Sequence, residues 1–175
     1  MKIASTTSGS IVDGPGMRFT VFVQGCRHHC PGCHNPQTHP FDGGREVSVE
    51  ELHAMFFSDP LITGLTLSGG DPMEQAAECA QLAALAKSGG HNVWTYTGYT
   101  YEQLLAEGDP DRLSLLEQTD VLVDGPFILK EKSYDALFRG SRNQRLIDLN
   151  ATRRTGVLTL WQRPSTLSHF TRPES

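Results

Sequence analysis

The chain has 175 residues, of which 38% are hydrophobic and 20% are charged. This is enough for one domain with a hydrophobic core, and the composition is that of ordinary globular proteins. The formal net charge of −5 argues against a chain-wide attraction to nucleic acid or to anionic membranes. No apolar run is long enough to cross a bilayer, and the N-terminus lacks the apolar core of a signal peptide. We therefore expect a cytoplasmic protein with no nucleic-acid or membrane partner.

Strand-like segments rich in β-branched and aromatic residues alternate with helical segments along the chain. Ser48 and Asp71 are expected N-caps, because each precedes a helical pattern. In chain order, the predicted elements are a strand at 18–23, a helix at 49–57, a strand at 61–67, a helix at 73–88 and strands at 92–98, 120–125, 144–149 and 156–161.

This alternation predicts βα units and a mainly parallel sheet. A complete eightfold barrel takes about 250 residues, so the chain is too short for one. We therefore expect an α/β fold with a single domain over residues 1–163, built as an incomplete TIM-like barrel, followed by a frayed tail over 164–175. In such a fold the loops that follow the strands meet at one edge, where ligands bind.

Three of the four cysteines lie within eight residues, in the segment GCRHHCPGC. Cys26, Cys30 and Cys33 have the spacing C-x3-C-x2-C, which in a reducing compartment indicates metal binding rather than disulfides. A nearby histidine could complete a zinc site, so a zinc-stabilised binding module stays open. Cys79 falls on the apolar face of the helix at 73–88 and is expected in the core. A four-iron cluster held by the other three would leave one iron open for a substrate or cofactor.

Five motifs in a fixed order give a resemblance to a known family. C-x3-C-x2-C after a first strand and SGGDP after a second are similar to the radical S-adenosylmethionine (SAM) superfamily. The segment IVDGPGMRFTVFVQGC resembles the opening of the activating enzymes for glycyl-radical proteins. Gly32 stands where most of the superfamily has an aromatic residue. This glycine, together with four further motifs, makes the chain resemble the anaerobic ribonucleoside-triphosphate reductase activating proteins over about residues 10–150. The four motifs are LSGGDP, WTYTGYTYEQL, VLVDGPF and FRGSRNQRLIDL.

The resemblance implies a radical SAM oxidoreductase in which Cys26, Cys30 and Cys33 hold a [4Fe–4S] cluster and the fourth iron binds SAM. Reductive cleavage of SAM would give a 5′-deoxyadenosyl radical that generates a glycyl radical on the anaerobic reductase. No catalytic residue is implied beyond the cluster and SAM. The implied partners are the glycyl-radical subunit of the reductase and an electron donor such as a flavodoxin. The alternatives are an activase of pyruvate formate-lyase or another glycyl-radical enzyme, and the zinc-stabilised binding module.

The resemblance also implies which residues lie near SAM. The expected SAM-binding residues are Gly32, His34, Gly69, Gly70, Asp71, Asp124, Gly125 and Pro126. The expected rim of the site comprises Thr97, Gly98, Ser141 and Asn143. Simpler interpretations stay open for several of them: Asp71 suits an N-cap, His34 suits a solvated loop, and Asp124 suits a turn.

Overall fold

A seven-stranded mixed sheet organises the protein, and the computed structural model describes residues 1–164 of it. The strands are β1 (Lys2–Ser10), β2 (Arg18–Val23), β3 (Arg45–Glu46), β4 (Gly64–Gly69), β5 (Asn92–Tyr96), β6 (Val121–Asp124) and β7 (Arg145–Asp148). The α-helices are α1 (Val49–Phe57), α2 (Ala76–Ser88), α3 (Tyr101–Glu107), α4 (Pro110–Gln118) and α5 (Leu149–Thr155). Short 3-10 helices cover Pro36–Thr38, Pro72–Gln75 and Leu129–Glu131.

The strand order across the sheet is β3-β1-β2-β4-β5-β6-β7. Strands β2, β4, β5 and β6 pair in parallel, whereas β1, β3 and β7 pair antiparallel with their neighbours. Since parallel strands end at the same edge, the loops after β2, β4, β5 and β6 meet there. The fold is thus α/β with a mixed sheet, and the incomplete TIM-like barrel stays a prediction.

Helix α2 packs its apolar face into the main core. Cys79, Leu82, Ala83 and Ala86 are fully buried on this face, at the spacing that the sequence predicts. Burial raises the pKa of the Cys79 thiol. Cys79 is therefore a core residue of the helix.

The motif DGPGMR is explained by a buried cation at the start of β2. The Arg18 side chain is fully buried and donates hydrogen bonds to Thr66 Oγ1 (2.6 Å) and Asn92 Oδ1 (2.8 Å). Burial lowers the pKa of Arg18 to about 10. A Cβ at Gly14 would lie 2.7 Å from the Arg18 side chain, so the loop before β2 needs glycine to close over it.

The ends of the chain differ most from the sequence prediction. The strand predicted at 156–161 is wrong, because this segment makes one isolated bridge, between Leu160 and Ile147. The long strand β1 was not predicted: its sequence KIASTTSGS is mostly polar, and Ile3 is its only fully buried side chain. Of the predicted tail 164–175, all but Pro164 lies outside the described residues, and the domain boundary at 163 stays a prediction.

Within residues 1–164, no helix combines the length and the apolar composition that crossing a membrane requires.

Asp120 links β5, β6 and the helices α2 and α5, so its substitution tests this part of the fold. Its carboxylate accepts hydrogen bonds from Lys87 Nζ (2.9 Å), Val93 N (2.7 Å) and Asn150 Nδ2 (2.8 Å). Burial raises the pKa of Asp120, but hydrogen bonds from Lys87, Asn150 and Val93 outweigh burial and hold the pKa below its usual value. The stabilisation is therefore present above about pH 4 and is lost as pH falls through the folded-state pKa.

Asp120→Asn should lower the free energy of unfolding by about 1–2 kcal/mol at pH 7, measured by urea denaturation. The difference from wild type should shrink below about pH 4, where wild type loses the charge as well. The exposed Asp42→Asn is the matched control and should have little effect. If Asp120→Asn lowered the free energy of unfolding by the same amount at pH 7 and below about pH 4, the charge of Asp120 would not be the source of the stabilisation.

Candidate metal centre

The loop that carries the clustered cysteines follows β2 at the C-terminal edge of the parallel strands. Cys26, Cys30 and Cys33 line one cavity of about 130 Å³, together with backbone from the loops after β4, β5 and β6. All are free thiols. Cys79 lies in the core helix α2 and does not line this cavity. The fold thus brings together the three predicted ligands and keeps the fourth cysteine away.

The surroundings of the sulfur atoms suit thiolate ligands of an iron–sulfur cluster. Asn35 N donates to Cys33 Sγ at 3.4 Å, and Cys33 N donates to Cys30 O at 3.1 Å. Burial raises the pKa of Cys26 to about 11, and hydrogen bonding from the backbone N–H groups of His28 and His29 opposes this rise. Backbone donors at cysteine sulfur are among the features that tune such clusters. The three-thiol donor set and its N–H groups therefore fit a cluster held by three cysteines.

The histidines of the loop do not complete a compact ion site with the cysteines. In the part of the chain from residue 1 to 164, no three histidine, cysteine, aspartate or glutamate side chains are arranged to hold a single metal ion. His28 and His39 line the cysteine cavity, whereas His29 is exposed and lies against the His39 ring, with 5.3 Å between ring centroids.

A groove of about 290 Å³ adjoins the cysteine cavity. The two share Cys33, Ser68, Tyr96, Phe127 and Gln144 in their walls. The predicted SAM residue His34 lines the groove, and its ring packs against Phe127 with 5.0 Å between centroids. The groove therefore leaves space for a small molecule directly beside Cys33.

Asp71 is fully buried, and the protein itself uses both of its carboxylate oxygens. Oδ1 accepts from Met73 N at 2.9 Å, which caps the 3-10 helix, while Oδ2 accepts from Thr97 Oγ1 (3.0 Å) and Gly98 N (2.9 Å). Oδ2 also lies 2.7 Å from His28 Nε2, and this hydrogen bond raises the pKa of His28. Neither Asp71 nor Thr97 lines the cavity or the groove. Asp71 thus joins the loops after β2, β4 and β5, and its contact with SAM stays a prediction.

Gly69 and Gly70 line the cysteine cavity, as expected of residues near a cofactor. A Cβ on Gly69 would lie 2.4 Å from Val23 N, and one on Gly70 would lie 2.3 Å from Gly25 O. Both glycines are therefore required because the end of β4 lies closely beside the end of β2, with which it pairs in the sheet. Close approach to SAM is a second role that stays a prediction.

Gly32 lies outside the cavity and the groove, and its neighbour explains the missing side chain. Its φ is +74°, and a Cβ there would lie 2.8 Å from Leu129 Cδ1. A side chain at residue 32 would thus meet Leu129.

Asp124 is buried and paired with a cation rather than facing the cavity. Arg145 Nε donates to its Oδ1 at 3.0 Å, and Tyr101 N donates to Oδ2 at 2.8 Å. Gly125 lines the cysteine cavity, whereas Asp124 and Pro126 line neither space. Asp124 therefore joins β6 to β7 and to the start of α3.

Of the four predicted rim residues, only Gly98 lines the cysteine cavity. Ser141 is fully buried and its Oγ accepts from Ile128 N at 3.2 Å. Asn143 Nδ2 donates to Pro126 O at 2.8 Å. The last two residues therefore shape the loops around the site instead of bordering it.

Four residues that sequence reasoning missed line both the cavity and the groove. They are Ser68, Tyr96, Phe127 and Gln144. Gln144 Nε2 donates to Gly125 O at 3.1 Å, and its Oε1 accepts from Gly140 N at 2.9 Å. Each lies inside a motif that the resemblance quotes, but nothing in the motif distinguishes a residue that faces the cavity from its neighbours.

Comparison with known proteins agrees with this geometry. Residues 12–147 match the family model described as "4Fe-4S single cluster domain". The anaerobic ribonucleoside-triphosphate reductase-activating protein of Vibrio cholerae is 41% identical over 143 residues, which cover 77% of this chain and 89% of that protein. Those of Salmonella typhimurium and Enterobacteria phage T4 are 36% and 38% identical, again over 77% of this chain and over 90% and 86% of theirs.

The chain belongs to this family of activating proteins. The predicted resemblance to the anaerobic ribonucleoside-triphosphate reductase-activating proteins is thereby confirmed. The region matched as a 4Fe-4S single cluster domain includes all three cysteines of the cavity and excludes none of the expected SAM-binding residues.

Gly70→Ala should destabilise the protein even when no cofactor is bound. The added Cβ would overlap the Gly25 carbonyl, so the loop after β4 must move, and we expect a loss of about 1–3 kcal/mol in the free energy of unfolding. Urea denaturation of the cofactor-free protein measures this, with Ser68→Ala as the neighbouring control. An unchanged unfolding midpoint combined with lost SAM binding would show that Gly70 serves the cofactor and not the packing.

Proposed function

We propose that this protein activates an anaerobic ribonucleoside-triphosphate reductase with a [4Fe–4S] cluster held by Cys26, Cys30 and Cys33, and with SAM. The observation that carries the proposal is the cavity lined by these three thiols while Cys79 is in the core. The activity named for relatives at 36–41% identity supports the choice of target. When bound at the cluster and reduced by an electron donor, SAM would supply a 5′-deoxyadenosyl radical able to remove a hydrogen atom from a backbone glycine of the reductase.

The residues of the chain bind, orient and shield this chemistry. The three thiolates would hold the cluster, and the adjoining groove would hold SAM beside Cys33. The rings of His34 and Phe127 offer the groove apolar surface suited to a planar base. In this proposal the seven-stranded sheet is an incomplete barrel of the radical SAM type, with the site at the C-terminal edge of its parallel strands.

A surface cavity continues the groove away from the cysteines. It has a volume of about 350 Å³ and shares Val12, His34, Phe138, Arg139 and Gly140 with the groove. Ile11, Val12 and Tyr134 line it and are 70%, 71% and 91% exposed. We propose that the glycine-bearing segment of the reductase enters here, because exposed apolar side chains of this kind are typical of protein-binding surfaces. The electron that SAM cleavage requires would come from a donor protein such as a flavodoxin. We propose that this takes place in the cytoplasm, where the thiols stay reduced.

Substitution of the cysteines tests the cluster. Cys26→Ala, Cys30→Ala and Cys33→Ala should each lose iron and sulfide after anaerobic reconstitution and should lose SAM cleavage, because three thiolates already leave one iron open. Cys79→Ala is the matched control, since its thiol is in the core, and it should keep both. Cluster loss in the Cys79 variant alone would overturn the ligand assignment.

Activation of a partner enzyme tests the target. The reconstituted protein, SAM and a reductant should produce a glycyl radical on an anaerobic ribonucleoside-triphosphate reductase, detected by electron paramagnetic resonance. Pyruvate formate-lyase serves as the comparison partner and should stay radical-free. A radical on pyruvate formate-lyase alone would make the protein an activase of that enzyme, and tight stoichiometric zinc without iron uptake would leave a binding module.

A further inference from the structure

We propose that His28 is a positioning residue: Asp71 holds its imidazole and thereby fixes the backbone between Cys26 and Cys30 for cluster binding. The inference rests on the proposed function, because it takes these two cysteines as cluster ligands. It adds a role for a side chain that neither the cysteine spacing nor the expected SAM contacts assign. His28 lies two residues from each cysteine, so an anchor there acts on both.

The imidazole occupies a site shaped to receive it. His28 Nε2 lies 2.7 Å from Asp71 Oδ2, and the ring packs edge-on against Tyr99 with 4.5 Å between centroids. A Cβ on Gly98 would lie 2.5 Å from the His28 ring, so a residue other than glycine there would displace the histidine. The His28 side chain is 18% exposed, whereas its neighbour His29 is largely exposed to solvent. Of its two adjacent histidines, the loop thus partly buries His28 and leaves His29 exposed.

The groups around the imidazole are themselves held in place. Tyr99 Oη donates to Glu74 at 2.7 Å, and the Arg112 guanidinium lies 4.4 Å from the centre of the Tyr99 ring. The Glu74 side chain is 2% exposed and also pairs with Arg27 Nε at 2.9 Å. Consecutive residues of the cysteine loop, Arg27 and His28, are therefore each bound by a buried carboxylate, of Glu74 and of Asp71.

The loop between the first two cysteines has little else to fix it. No helix or strand covers residues 24–35, and His29 has a φ of +48°. A segment without regular structure keeps one conformation only where side-chain contacts offset its conformational entropy. Cys26 and Cys30 flank this segment directly, so its movement would change the placement of both ligands.

The test compares four variants of the full chain after anaerobic reconstitution. His28→Phe keeps a ring for Tyr99 but removes the donor to Asp71, and Gly98→Ala displaces the imidazole from the other side. His28→Gln restores an N–H donor and is the rescue variant. His29→Asn is the matched control on the same loop, because asparagine tolerates a positive φ. The readouts are the rate of cluster loss to an iron chelator and the midpoint potential and paramagnetic resonance spectrum of the fraction that stays loaded.

His28→Phe and Gly98→Ala should each lose the cluster roughly tenfold faster than wild type, as expected from one hydrogen bond to a charged group. Their loaded fractions should show a shifted midpoint potential and an altered spectrum, because loop movement changes the placement of the cysteine ligands and the solvent exposure of the cluster. His28→Gln and His29→Asn should match wild type. If the wild type takes up the cluster and the His28→Phe variant loses it at the same rate, with the same potential and spectrum, this inference is overturned and the proposed function is not. A wild type that takes up no cluster would overturn the proposed function as well.

Discussion

The buried carboxylate of Asp71 is the constraint on which the rest of this site depends. A carboxylate that is wholly removed from water is tolerated only when its oxygens are hydrogen-bonded or paired. Here the partners come from different loops: His28 from the cysteine loop, Thr97 and Gly98 from the loop after β5, and the backbone of its own turn after β4. One side chain thus sets the relative position of three loops at the C-terminal edge of the sheet.

Close backbone packing creates the space that the cysteines face. Gly69 and Gly70 let the end of β4 lie closely beside the end of β2, and Gly32 leaves room for Leu129 beside the cysteine loop. The cavity and the adjoining groove arise where these segments approach without filling the space between them. The fold needs the same glycines that close approach to a cofactor would need. The sequence alone therefore does not distinguish a role in packing from a role in cofactor binding.

The two carboxylates at strand ends illustrate how far the site could be predicted. Asp71 and Asp124 lie at the expected edge of the sheet, yet each is buried in internal hydrogen bonds and neither lines the cavity. Cys26, Cys30 and Cys33, by contrast, line it together as their spacing predicts. A short spacing constrains cysteines locally, whereas the partner of an aspartate is decided by residues such as Arg145 that are far along the chain.

The sequence by itself determined the three-cysteine spacing, the strand at 18–23 and the helix at 49–57, because each depends on neighbouring residues. It also determined the family, because several motifs occur along the chain in a fixed order. Only the tertiary structure decided that the polar segment β1 joins the sheet, that 156–161 is not a strand, and that Gln144 faces the cavity. These outcomes depend on pairing and burial between distant segments. Contacts between segments that are distant along the chain cannot be inferred from the pattern of neighbouring residues, because they form only when the sheet brings the segments together.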